Sequence, residues 1–225
     1  MNYISRRQFI NYSCLAISSS ILTSCTNTNN SNSVAKTDKN LDQVTYGTNW
    51  YAQGEHGGFY QAIATGIYED YGLKVTIRMG NAQVNGIQLL AGGAIDFYMG
   101  SSIDAISSVE AGIPTITVAA IFQKDPQVLI AHPEVGNDSL EQLKGKPIFT
   151  SSLSEKGYWQ FLKSKFNYTD DQKRPYNFSV APFLLDKNVI QQGYLTSEPF
   201  TIKQKGGFEP VVMLLADAGL SLIHI

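Results

Sequence analysis

Cysteine is nearly absent from the chain, and both of its cysteines lie close to the amino terminus. Cys14 and Cys25 are the only two among 225 residues. The remaining sequence therefore offers no disulfide, no thiolate metal site and no cysteine nucleophile. A dominant charge is also missing, because 17 basic and 19 acidic residues leave a net charge of −2 without a basic patch. This balance argues against nucleic-acid binding.

The common catalytic motifs are missing as well. The sequence contains no Gly-x-Ser-x-Gly elbow, no phosphate-binding P-loop, no Gly-x-Gly-x-x-Gly after a strand and no His-Glu-x-x-His. We therefore predict that the protein is not an enzyme, needs no cofactor and holds no metal ion. The amino-terminal apolar stretch is too short and too rich in serine to span a membrane.

Residues 1–25 instead have the features of an export signal. Ser5-Arg-Arg-Gln-Phe-Ile10 resembles a twin-arginine motif, and Leu22-Thr-Ser-Cys25 resembles a bacterial lipobox at the end of the apolar stretch. This order predicts lipidation at Cys25; the alternative is an ordinary secretory signal with a chance cysteine. Export by the twin-arginine route or by the general route stays open. Residues 26–42, rich in Asn, Ser and Thr, predict a flexible linker.

Beyond the linker, short β-branched or aromatic runs alternate with amphipathic runs. Strands are predicted at 43–49, 74–79, 95–99, 115–122, 127–132, 147–150, 177–180 and 211–215. Helices are predicted at 58–71, 83–91, 102–111 and 156–166 from apolar residues spaced three and four apart. This alternation predicts an α/β fold with mostly parallel sheets flanked by helices. We expect two lobes, 43–125 and 126–219, that close around a ligand.

The loop that joins the first strand to the first helix is rich in groups that can bind a ligand. It contains Asn49, Trp50, Tyr51, Glu55, His56 and Tyr60, together with the pair Gly57-Gly58. Loops at the carboxyl ends of strands are where open α/β sheets place their ligands. The aromatic residues could stack on a flat ring and the polar ones could hydrogen-bond it. Core burial, loop capping and structural hydrogen bonding are the alternatives.

Three further segments contribute candidate binding residues. Gly100-Ser101-Ser102 follows a predicted strand and opens a helix, where hydroxyl and free N–H groups suit a polar or anionic group. Ser151 and Ser152 occupy the equivalent place after the first strand of the second lobe. Ordinary helix capping is the alternative for these serines. Glu198 precedes Pro199, which is typical of a helix start.

Residues 43–219 resemble the ABC-transporter solute-binding proteins of the sulfonate and thiamine-pyrimidine-precursor class. The resemblance rests on Asn49–Tyr60, on Gly66–Val75, on Gly93–Asp96 with Gly100–Ser102, on Leu143–Lys146 and on Gly193–Phe200. It implies a type II periplasmic-binding-protein fold and a Glu198 side chain near the cleft. It also implies that the final segment of the first lobe lies beyond this chain. The last six residues, 220–225, are what a sequencing-adapter string would encode, and we expect no function for them.

The resemblance implies an exported lipoprotein that delivers a small molecule to an ABC permease and its ATPase subunit. We expect a lipid-anchored monomer at the periplasmic or extracellular face of the cytoplasmic membrane. The expected ligand is a thiamine pyrimidine precursor or a similar flat heterocycle; the alternative is a sulfonate, nitrate or taurine-type anion. An enzyme of thiamine-pyrimidine synthesis shares the fold, and His56 could match its substrate histidine. No cysteine lies beyond Cys25 to form that enzyme's cysteine-rich iron site.

Overall fold

The computed structural model describes residues 40–81, 84–155 and 157–220. The export signal, the lipidation site Cys25 and most of the linker therefore lie outside the described residues. Residues 221–225 of the expected adapter segment lie outside them as well. Within the described ranges, no helix is both long enough and apolar enough to cross a membrane.

The first sheet has three parallel strands in the order β2-β1-β3. They are β1 (Asp42–Gly47), β2 (Leu73–Arg78) and β3 (Phe97–Tyr98). Strand β1 lies in the centre, paired with β2 along its whole length and with β3 at its carboxyl end. The carboxyl ends of all three strands therefore meet at one edge of the sheet.

Four helices accompany this sheet. They are α1 (Gly57–Ala64), α2 (Ile67–Asp70), α3 (Gly86–Ala91) and α4 (Ser102–Glu110). The single helix predicted at 58–71 is wrong, because Gly66 adopts a φ of +76° and divides it into α1 and α2. Glycine takes this left-handed conformation without a steric penalty, so a change of helix direction costs little there.

The second sheet has five strands in the order β6-β5-β7-β4-β8. They are β4 (Gln127–Ala131), β5 (Ile148–Thr150), β6 (Lys173–Pro175), β7 (Ile190–Tyr194) and β8 (Val211–Leu214). Strand β4 runs antiparallel to both β7 and β8. The expectation of a mostly parallel second sheet is therefore wrong, since only the β6-β5-β7 half is parallel.

Three helices cover the second sheet. They are α5 (Tyr158–Phe166), α6 (Ala181–Leu185) and α7 (Glu198–Gly206). One apolar cluster packs α5 against one face of the sheet around Leu129, Trp159 and Leu162. A second cluster packs α6 and α7 against the other face around Ile130, Phe183 and Ile202. The sheet is thus buried on both faces, as α/β folds require.

Two predicted strands are wrong. Residues 115–122 form no strand, and most of their apolar side chains are exposed, with Ile116 at 88%. A β-branched run becomes a strand only where a neighbour pairs with it, and no described strand lies beside this one. The run 177–180 forms no strand either. The edge strand of the sheet is formed by Lys173–Pro175 instead, and the chain then enters α6, which has a proline in its first turn.

Candidate functional site

A cavity lies where the carboxyl ends of β1 and β3 face the ends of β5 and β7. Residues from both sheets line it. The first-sheet side contributes Asn49, Trp50, Gln53, Tyr98 and Ser101, and the second-sheet side contributes Gln127, Ser151, Ser154, Tyr158, Gln192, Tyr194 and Glu198, among others. A site built from the strand ends of two sheets is where α/β proteins commonly hold ligands.

The loop after β1 is held in place by its own polar groups. The Thr48 hydroxyl donates to the Trp50 carbonyl at 2.8 Å and accepts from the Gly80 N–H at 3.1 Å. The His56 ring is fully buried, with Nδ1 3.3 Å from the Gln53 N–H and Nε2 3.3 Å from Asn49 Oδ1. Because a backbone N–H can only donate, Nδ1 is the acceptor and Nε2 carries the proton.

Four aromatic rings meet beside the cavity. Trp50 is only 7% exposed and lies 4.3 Å from Phe178 and 6.4 Å from the nearly parallel ring of Tyr176, between ring centroids. Phe178 also contacts Tyr51 edge-on at 4.0 Å. Phe178 has a φ of +67°, which a bulky residue adopts only when its surroundings enforce it. Contacts with Trp50 and Tyr51 therefore hold this segment in a strained conformation.

Glu198 provides a buried carboxyl group at the cavity wall. Its Oε1 accepts from Gln53 Nε2 at 3.0 Å and from the Tyr176 hydroxyl at 3.3 Å, and its Oε2 accepts from the Tyr194 N–H at 2.8 Å. Burial raises the pKa of Glu198, and repulsion from the Glu55 carboxylate raises it further. The hydrogen bonds from the Tyr194 N–H and the Gln53 side chain lower the pKa of Glu198 and offset part of that rise.

The cavity phenols are neutral at physiological pH. Burial raises the pKa of Tyr98, of Tyr158 and of Tyr194 above the ordinary tyrosine value. The carboxylates of Asp104, Glu155 and Asp125 add to these three shifts respectively. Tyr194 also hydrogen-bonds the Asn49 side chain. Neutral hydroxyls can both donate and accept, so these side chains suit a polar, uncharged ligand.

Strand-end hydroxyl groups line the rest of the cavity. Ser101 forms a reciprocal capping box with Asp104 at the start of α4. The same residue lines the cavity, so it both caps the helix and is accessible to a ligand. Ser151 begins the turn after β5, and its N–H donates to Gln192 Oε1 at 2.6 Å. Among the described residues, no group of three or more His, Cys, Asp or Glu is arranged to hold a metal ion.

The structure brings five of the twelve predicted ligand-binding residues to this cavity: Asn49, Trp50, Ser101, Ser151 and Glu198. The other seven lie outside its lining: Tyr51, Glu55, His56, Tyr60, Gly100, Ser102 and Ser152. Gly100 lines an adjoining cavity shared with Ser101, and Ser152 lines a third cavity. Glu55 accepts hydrogen bonds from Thr196 and Ser197, each at 2.9 Å, so it joins the loop to the second-sheet side.

Sequence reasoning missed several residues that line the cavity, notably Gln53, Tyr98, Tyr158, Gln192 and Tyr194. Tyr98 lies near the carboxyl end of the predicted strand 95–99, and that position was a usable signal. Tyr194 ends β7 (Ile190–Tyr194), where no strand was predicted. Tyr158 and Gln192 are brought together across 34 residues of sequence, with the Tyr158 hydroxyl 2.8 Å from Gln192 Oε1. Nothing in the local pattern around either residue indicates that contact.

The chain shares sequence with proteins of known function. It is 30% identical over 111 residues to the formylaminopyrimidine-binding protein of Halalkalibacterium halodurans, covering 49% of this chain and 34% of that protein. It is 24% identical over 185 residues to the riboflavin-binding protein RibY of Chloroflexus aurantiacus, covering 79% and 52%. A 4-amino-5-hydroxymethyl-2-methylpyrimidine phosphate synthase of Aspergillus parasiticus is 23% identical over 108 residues, covering 48% and 32%. The matched region therefore spans between a third and about half of these relatives.

Solved structures share the fold. The periplasmic aliphatic sulphonate binding protein SsuA of Escherichia coli superposes with a TM-score of 0.57 at 15% identity, covering 81% of this chain and 60% of that one. The tungstate ABC transporter structure from Geobacter sulfurreducens gives 0.52 at 10% identity, covering 81% and 82%. The fold is therefore that of the type II periplasmic binding proteins. The NMT1/THI5-like family model matches residues 53–224, and the chain belongs to this NMT1/THI5-like family.

Proposed function

We propose that this protein is the solute-binding component of an ABC importer and that it binds a flat aminopyrimidine-like heterocycle. The observation that carries the proposal is the cavity itself, which is lined by both the buried Glu198 carboxyl group and the Trp50 ring. Residues from both sheets line this cavity, so a ligand there would contact both sides. A ligand that contacts both sides can stabilise a closed state.

The Glu198 carboxyl group matches the edge of an aminopyrimidine. Such a ring presents an amino N–H beside a ring nitrogen. A protonated carboxyl group can accept a hydrogen bond from the amino N–H and donate one to the ring nitrogen. Burial raises the pKa of Glu198, so the protonated form that can do both persists to higher pH than in an exposed glutamate. Trp50 offers an apolar ring surface next to this carboxyl group, and flat heterocycles stack well on indole rings.

The cavity lining favours a heterocycle over an inorganic or sulfonate anion. No lysine or arginine is among the described residues that line it, and Asp104 and Glu198 contribute acidic groups instead. An anion would need compensating positive charge or several aligned N–H donors. The names of two relatives, a formylaminopyrimidine-binding and a riboflavin-binding protein, also refer to flat heterocycles.

The same proposal covers the cellular setting. Signal peptide 1–25, lipidation at Cys25 and linker 26–42 would tether the domain outside the cytoplasmic membrane. Its partners would be an ABC permease and ATPase, and we propose that it acts as a monomer. We keep the lobe boundary at 125/126, since every strand of the first sheet precedes it and every strand of the second follows it.

Ligand-dependent thermal stability and fluorescence test the proposal. The chain has two tryptophans, so Trp159→Phe leaves Trp50 as the single reporter. We expect aminopyrimidines to raise the melting temperature and to quench Trp50, because a ligand that binds the folded state stabilises it in proportion to RT ln(1 + [L]/Kd). Stabilisation by alkanesulfonates or nitrate alone would overturn the choice of ligand. A lysine-bound pyridoxal chromophore would support the synthase class in place of a transporter.

A further inference from the structure

Gln192, on β7, is held by an unusual set of hydrogen-bond donors. Its Oε1 lies 2.6 Å from the Ser151 N–H, 2.8 Å from the Tyr158 hydroxyl and 3.0 Å from the Thr150 hydroxyl. Because the Ser151 N–H can only donate, the atom facing it must be the amide oxygen. The orientation of this carboxamide therefore follows from the backbone of the neighbouring strand end.

None of these bonds uses the amide nitrogen of Gln192, and the residue lines the cavity. Rotating the carboxamide by half a turn would place its NH₂ group against the Ser151 N–H, so that two donors would face each other. The surrounding hydroxyls are also engaged: Ser154 donates to the Ser151 carbonyl at 2.8 Å, and the single proton of the Thr150 hydroxyl is shared between Ser154 at 2.8 Å and Gln192 Oε1 at 3.0 Å. Gln192 therefore offers a ligand hydrogen-bond donors from a group that cannot easily turn round.

Glu198 and Gln192 both line the cavity from the second-sheet side. Gly193 separates Gln192 from Tyr194, and a methyl group at Gly193 would come within 2.8 Å of the Glu198 Cβ. The absence of a side chain at Gly193 thus lets Glu198 approach the strand that carries Gln192. The cavity lining consequently combines a carboxyl group at Glu198 with fixed donors at Gln192.

We propose that Gln192 is a specificity-determining residue that selects ligands carrying an acceptor oxygen, such as a carbonyl or formyl group, beside the ring. This inference rests on the proposed function, since it assigns the second recognition element of the same site. The substrate class becomes a flat aminopyrimidine whose substituent ends in an acceptor. A ligand with an amine at the same place would set donor against donor, which costs affinity.

Formylaminopyrimidine and the amine that remains after its formyl group is removed form a matched probe pair. We expect the full chain to bind the formyl compound about tenfold more tightly than the amine, the ratio that one unmatched buried hydrogen bond produces. Gln192→Glu should reverse this preference, because a carboxylate accepts from the amine and repels the carbonyl. The Ser151 and Tyr158 donors can still bond the new carboxylate, so the fold should be retained.

Gln192→Met and Gln191→Met complete the test. Gln192→Met should lower affinity for the formyl compound about tenfold and leave the amine unchanged. Gln191 is adjacent but points to the other face of β7 and is absent from the cavity lining, so Gln191→Met should change neither affinity. Equal binding of both probes by the wild type and by both Gln192 variants would overturn the inference and leave the proposed function standing. Failure of the wild type to bind either probe would overturn both.

Discussion

Glu198 is the residue on which the chemistry of the cavity depends, and its protonation should be visible in the stability of the protein. Burial raises the pKa of Glu198 in the folded state, whereas the unfolded chain releases the proton at the ordinary glutamate value. The folded state therefore binds more protons between these two values. The stabilising contribution is complete below the ordinary glutamate pKa and is lost as pH rises through the raised one.

We predict that the free energy of unfolding falls across this interval and that Glu198→Gln flattens the fall. Urea titrations from about pH 4 to pH 8 measure it, since this range brackets ordinary and raised carboxyl values. Glu198→Met should weaken aminopyrimidine binding about tenfold, because a thioether can neither donate to the ring nitrogen nor accept well from the amino N–H, whereas the carboxamide of Glu198→Gln can do both. Glu209→Gln, on an exposed side chain paired with Lys203, is the matched control. Equal pH profiles for the wild type and Glu198→Gln would contradict the assignment.

At the level of single residues, sequence position predicted the cavity residues that directly follow strands. Trp50 and Ser151 follow β1 and β5, and both line the cavity. Glu55 and His56 belong to the same loop, but their side chains turn toward Thr196 and Asn49. The direction of a side chain within a loop depends on tertiary partners, and no periodic pattern encodes them. Gln192 was missed for a different reason, since no strand was predicted at 190–194, where β7 lies.

At the level of elements, strand β4 could be predicted because it is buried, whereas β7, the central strand of the second sheet, was not predicted. Strand β4 is a continuous apolar run in which four of five residues are buried, and that pattern requires no knowledge of its neighbours. Its antiparallel direction depends on pairing with β7 and β8, which the sequence of β4 does not contain. The exposed run at 115–122 has the same composition without a described partner, and composition alone predicted a strand there.

Gly80, in the turn after β2, packs directly against the backbone of the loop after β1. A methyl group there would lie 2.2 Å from the Thr48 carbonyl oxygen and 2.9 Å from the Trp50 nitrogen, both backbone atoms. We predict that Gly80→Ala displaces the loop and lowers the free energy of unfolding by about 1–3 kcal/mol, the usual cost of overpacking. Ligand binding should weaken as well, because the displaced loop carries Trp50. Urea unfolding and calorimetric titration measure the two effects.

Gly58→Ala is the matched control for Gly80→Ala. Gly58 lies in α1 with no atom within 4 Å of the added methyl group, so this change should stabilise the protein by about 0.5–1 kcal/mol through helix propensity. If Gly80→Ala proves as harmless as Gly58→Ala, the turn does not position Trp50.

At the level of the whole molecule, the loop after β1 links the two sheets through several kinds of contact. Gln53 donates to Glu198, Glu55 accepts from Thr196 and Ser197, and Trp50 and Tyr51 contact Phe178. The second Glu55 oxygen, Oε1, is buried without a hydrogen-bond partner among the described residues. This loop therefore supplies both a wall of the cavity and the contacts that hold its two sides together. Ligand affinity should consequently depend on contacts that do not touch the ligand.

We predict that Glu55→Ala opens the ligand-free molecule, because the hydrogen bonds that Glu55 accepts from Thr196 and Ser197 are lost. Ligand binding should weaken about tenfold, because the ligand must then supply the free energy of closure. Small-angle scattering should show a larger radius of gyration without ligand and the wild-type value at saturation. Combining Glu55→Ala with Ser197→Ala should cost less than the sum of the two single changes, since both remove the same contact. Glu69→Ala, on an exposed carboxylate of α2, should leave both measurements unchanged. Wild-type dimensions and wild-type affinity in Glu55→Ala would mean that closure does not depend on this loop.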